Sequence, residues 1–114
     1  MATMQTSAAS TPERAVPELL EAAFSAAREH PDKAEREACC YGLSAEIHRL
    51  LPIVQAQMDA LPPRTRDWYA RDTAIHDAKE ELRKGLSPSP MGAYLTLAEL
   101  GRRLIALTDL AGAS

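Results

Sequence analysis

The sequence predicts an all-α protein: an antiparallel helical bundle of three long helices with a shorter helix before them. Three observations predict it. Apolar residues recur at steps of three and four in four successive segments, while the alternation expected of strands is missing. Each segment is bracketed by residues that start or stop helices, among them Asp32, Pro62-Pro63, Gly85 and Ser89-Pro90. The composition is 46% hydrophobic but only 4% aromatic, which points to an aliphatic, alanine-filled interior that suits helices better than sandwiches.

At 114 residues the chain has room for one domain with its own core. Residues 13–114 are assigned to it. Residues 1–12, rich in Ala, Ser and Thr, read as a flexible tail, because they could bury too little surface to offset the entropy of ordering. The first helix is predicted over Pro17–Arg28, with Pro17 acceptable in the first turn and His30-Pro31 ending it. Its stripe is Val16, Leu20, Ala23, Phe24 and Ala27. Being half alanine, this helix should bury less than the others and be the most detachable.

Asp32-Lys33-Ala34-Glu35 has the form of a capping box and opens the second helix, which should end at Leu61. Its stripe runs Cys40, Leu43, Ile47, Leu50, Leu51, Val54, Met58 and Leu61, and it keeps phase past Pro52. Were Pro52 to start a new helix, Leu51 would have to serve as N-cap, among the poorest choices. A single helix is therefore predicted, bent toward the core, with the proline ring outward about 140° from Ile47. The missing N–H leaves the His48 carbonyl without a helical donor, at a cost on the order of 3 kcal/mol.

The third helix follows in "RTRDWYARDTAIHDAKEELRKG", with Trp68, Ile75, Ala78 and Leu82 on one face and Gly85 as the stop. Arg71 interrupts that face, so its stem should lie on apolar surface or its head meet a carboxylate. Ser89-Pro90 supplies an N-cap and an N1 proline for the fourth helix. Ala93, Leu97, Leu100, Leu104, Leu107 and Ala111 form its stripe, and Leu95, Ala98, Ile105 and Leu110 widen it. A helix apolar around so much of its circumference sits centrally or is covered by another chain.

The net charge of −3 gives no pull toward nucleic acid or anionic lipid, where binding leans on clustered Lys and Arg. No basic n-region with an apolar h-region opens the chain, and no apolar run approaches the roughly 20 residues of a membrane span. Cys39 and Cys40 are adjacent, about 100° apart on a helix, which is incompatible with ordinary disulfide geometry. A reducing cytoplasm is the expected setting. Packing, rather than metal or redox chemistry, is the expected role of both thiols.

One polar row invites a functional reading. Tyr69, Asp72, His76 and Glu80 recur at steps of three and four on the third helix, with Arg66 and Arg71 nearby. Such a row could bind a small molecule or a metal, with a carboxylate orienting the imidazole. The plainer reading is a solvated helix face. The paired Glu-x-x-His motifs of di-iron bundles are missing, and so are a Gly-rich phosphate loop and any nucleophile with a base and an orienting group. No catalytic residue, metal or cofactor is therefore expected.

The stretch from Leu43 to Leu107 resembles a family of short, uncharacterised helical proteins common in actinobacteria, which automated naming attaches to natural-product biosynthesis. The resemblance is carried by Leu43-x3-Ile47-x2-Leu50-Leu51-Pro52-x-Val54, Leu61-Pro62, Arg66, Ala78 with Leu82, and Leu100-x3-Leu104-x2-Leu107. The first helix and the cysteine pair fall outside it. It implies a helical bundle and brings no catalytic residues. The expected function is that of a non-catalytic interaction or accessory protein, a homodimer or the binder of a partner protein through Leu95, Ile105 and Leu110. The rival is a small-molecule- or metal-binding biosynthetic component using the row on the third helix.

Overall fold

A computed structural model describes residues 15–113, and the predicted tail lies outside them. Four helices and no strand occur among the described residues: α1 (Val16–Glu29), α2 (Lys33–Asp59), α3 (Arg66–Lys84) and α4 (Pro90–Gly112). The all-α bundle is as the sequence predicts.

The helix starts follow from local chemistry. The Asp32 carboxylate accepts from the Glu35 N–H and the Glu35 carboxylate accepts from the Asp32 N–H, both at 2.9 Å, completing the capping box. Thr65 Oγ1 accepts from the Trp68 N–H at 3.4 Å to cap α3, and Ser89 Oγ accepts from the Gly92 N–H at 3.1 Å to cap α4. At the stops, His30 takes the left-handed conformation with φ 55° and donates its N–H to the Ala26 carbonyl, while Gly85 closes α3 at φ 73°. Helix α2 ends at Asp59, two residues short of the predicted Leu61, in a turn closed by the Ala60 N–H.

Contacts fix the directions. Leu19 of α1 meets Gly42 of α2, and Phe24 and His30 of α1 meet Gly101 and Tyr94 of α4. Gln57 of α2 reaches Ala111 of α4, and Asp77 of α3 faces Arg103 of α4. Consecutive helices therefore run antiparallel and α2 lies parallel to α4. Helix α4 touches each of the other three. Its Leu97, Leu100, Leu104 and Leu107 enclose the core with Leu43, Ile47 and Val54 of α2 and Ile75 and Ala78 of α3.

Helix α1 is rotated from its predicted face. Leu19, Ala23 and Ala26 are buried, whereas Ala27 is exposed and Phe24 is 44% exposed. Glycines on the neighbours are the reason. A Cβ at Gly42 would come within 2.6 Å of a Leu19 methyl, and one at Gly101 within 2.9 Å of the Phe24 ring, so both side chains rest on bare backbone. Leu19 is thereby drawn inward and Phe24 lies across α4 with its outer edge uncovered. The start of α2 is turned as well. Cys39, not Cys40, is the buried thiol, with its Sγ 3.9 Å from the Leu19 carbonyl that α1 lays over it.

Pro52 stands inside an unbroken α2 on its exposed side, as the phase of the stripe predicts. Replacing Pro52 with alanine restores a donor for the His48 carbonyl. About 3 kcal/mol of helix strain is relieved, against about 0.4–1 kcal/mol lost because alanine frees the unfolded chain. A gain of about 2 kcal/mol in urea denaturation is expected. A loss would mean that α2 needs the proline's curvature to meet its neighbours.

Candidate interaction surface

The solvent side of α4 carries apolar surface that the core does not use. Met91, Leu95, Ala98, Arg102, Ile105 and Asp109 recur at alternating steps of four and three, which places them in one stripe along the helix. Met91 is 62% exposed, Leu95 63% and Ile105 38%, values well above those of the core leucines on the opposite side of the same helix. Gly101 lies one turn from both Ala98 and Ile105, so the Phe24 ring seated on it borders the stripe and extends it onto α1. One cation interrupts the stripe. Arg102 is held to Glu99, and Glu99 also accepts from Arg103 at 3.0 Å.

Of the three residues the sequence places in this surface, Leu95 and Ile105 belong to the stripe and Leu110 does not. Five residues beyond Ile105, Leu110 is turned by about 140° on the helix. It is half-buried and packs against the core on the α3 side. Met91 is missing from the sequence reading. Its spacing of one turn before Leu95 was the available signal, masked by its place directly after the capping Ser89-Pro90.

The polar row of α3 is laid out as its spacing requires, but its neighbours do not join it. Tyr69, Asp72 and His76 are exposed, and Glu80 is half-exposed with its carboxylate accepting from Arg83 at 2.6 Å. That hydrogen bond, followed by the charge of Arg83, holds Glu80 below the usual carboxylate range. The Tyr69 ring meets the Trp68 ring edge to face, 5.2 Å between centroids. Among the described residues no three His, Cys, Asp or Glu side chains come together as a metal set. Arg66 is exposed at the start of α3.

Arg71 is directed away from the row and is buried, 6% exposed. Among the described residues it meets no carboxylate. Its Nε donates to Gln57 Oε1 at 3.1 Å, its Nη1 to the Asp67 carbonyl at 3.2 Å, and its Nη2 to the carbonyls of Leu110 and Ala113 at 3.4 and 3.5 Å. A cation at these carbonyls complements the negative end of the α4 dipole. Gln57 completes the tie by donating its Nε2 to the Ala111 carbonyl at 2.9 Å. The Arg71 side chain thus joins α2, α3 and the end of α4 at one pole of the bundle. Arg103, next to the exposed Arg102, is also partly covered, with Nη1 3.9 Å from Asp77 of α3.

No helix among the described residues is long and apolar enough to cross a membrane. The sequence matches a family of unknown function (DUF6415) over residues 14–114, and the chain belongs to that family. The match takes in α1 and the cysteine pair, which the resemblance from Leu43 to Leu107 leaves out. No curated protein and no solved structure matches the chain.

Proposed function

We propose that this member of the DUF6415 family is a non-catalytic helical interaction protein that pairs with a second copy of itself through the outer stripe of α4. The observation that carries the reading is the order of residues along that stripe. Leu95 and Ile105 stand equally far on either side of Leu100. In an antiparallel pair crossing there, Leu95 of each copy faces Ile105 of the other, and the small Ala98 near the crossing lets the helices approach.

The charges are complementary in the same arrangement. Arg102 of one copy comes beside Glu99 of the other, extending the pair each already forms within its own helix. Asp109 sits near the end of α4, where a carboxylate opposes the helix dipole, and in the pair it faces the first turn of the second copy's α4, where the dipole favours it. The stripe is short, so the affinity expected is modest, with a Kd on the order of 1–100 μM. An accessory role in natural-product biosynthesis in an actinobacterium rests on the sequence resemblance alone. The cytoplasm is the setting proposed with it.

Sedimentation equilibrium across a concentration series tests the pairing. The unmodified protein should shift from monomer to dimer, and Leu95→Glu with Ile105→Glu should weaken the association at least about tenfold while leaving the circular dichroism spectrum unchanged. A monomer at every concentration, or a dimer indifferent to both substitutions, would overturn the reading.

A further inference from the structure

We propose that the groove between α2 and the α3–α4 connection binds a small carboxylate bearing a linear apolar tail. It is a cavity of about 520 Å³, in the range of small-molecule sites, and it shares no residue with the α4 stripe. On α2 its lining recurs at Lys33, Arg36, Cys40 and Ser44, one face of the helix about 16 Å long. Leu86, Ser87 and Pro88 of the connection also line it.

Along α2 the charged lining residues come first and the uncharged ones follow, and that order selects the ligand. Lys33 and Arg36 lie in the first two turns of α2, where the helix dipole adds to their attraction for an anion, and Glu37 is the single carboxylate in the lining. Arg36 is already positioned, since its Nη1 donates to the Pro31 carbonyl at 3.0 Å. Lys33 lies 3.9 Å from Glu37 in an exposed pair, which binds it weakly enough for an arriving carboxylate to draw it over. Farther along α2 come Cys40 and Tyr41, and Leu86 and Pro88 of the connection add apolar surface to the lining.

Two further observations fit a ligand of this shape. Tyr41 at the groove is 74% exposed, the most uncovered large apolar side chain among the described residues, and a bound tail would give its ring a contact. Burial pushes the Cys40 thiol above its ordinary pKa, with a hydrogen bond to Ser44 pulling weakly the other way. The thiol therefore stays protonated at neutral pH and forms part of the wall, so binding is non-covalent.

Titration of the full chain with octanoate, followed by amide chemical shifts, tests the site. Octanoate should bind saturably with a Kd on the order of 0.1–1 mM, shifting the amides of residues 33–44, Leu86 and Ser87. Lys33→Gln with Arg36→Gln should weaken binding at least about tenfold, and octylamine, with the same tail and the opposite charge, should leave those shifts unmoved. Ser44→Trp, which fills the groove, should abolish binding. Absence of saturation at about 10 mM octanoate, equal binding of octylamine, or an affinity unchanged by Lys33→Gln with Arg36→Gln would overturn the proposal. None of these outcomes depends on whether the chain dimerises.

Discussion

Replacing Arg71 with alanine is expected to lower the free energy of unfolding by about 3 kcal/mol, seen as a fall of roughly 2 M in the urea midpoint. The substitution removes a buried cation that donates to Gln57 and to three backbone carbonyls, two of them at the end of α4. Those acceptors would remain partly enclosed without their donor, which is where most of the cost arises. Arg71→Met separates head from stem, because methionine keeps much of the apolar contact and none of the donors. It should recover less than half of the loss. Near-complete recovery would show that packing of the stem, and not the tie between helices, is what Arg71 contributes.

Leu104→Ala is expected to cost a similar amount, about 3 kcal/mol, for a different reason. Leu104 is wholly buried on the helix that contacts all the others, so its neighbours in the core would have to move to refill the space. Leu104→Met, which nearly conserves volume, should cost less than about 1.5 kcal/mol. Thermal or urea denaturation of the pair measures the difference. Equal losses in both would mean that the site tolerates neither shape, and equal small losses that the core around α4 collapses easily.

Much of this architecture is written locally. Asp32 with Glu35, and Ser89 with Pro90, state helix starts in residues that act within one turn, and the structure places a cap at each. The phase of Ile47, Leu50 and Val54 carries through Pro52 because a helical stripe is a property of its own segment. What could not be read depends on other segments. The face that α1 buries is chosen by Gly42 and Gly101 on α2 and α4, and no pattern within α1 reports them.

Arg71 illustrates the same limit for a candidate site. Its spacing among Trp68, Ile75 and Ala78 states that it lies on the apolar face, yet two of its four acceptors are carbonyls at the end of another helix, which carry no side-chain signature. The exposed stripe of α4 was half legible: Leu95 and Ile105 were visible as surplus apolar residues, while Leu110 required knowing which side α3 occupies. The groove at Cys40 and Leu86 was not legible at all, since its two walls lie more than 40 positions apart in the chain.

The central position of α4 also governs how the chain can be made. Synthesis delivers α1, α2 and α3 first, and none of them can close the core, because the leucines that fill it arrive on the last of the four helices. Until then Leu43, Ile47, Val54 and Ile75 have no α4 to cover them. For that interval the nascent chain presents an open apolar trough, the kind of surface on which aggregation begins and which holding chaperones recognise. Completion of the fold is thus gated by the emergence of one segment, and a translational pause before α4 would prolong the most vulnerable state the polypeptide passes through.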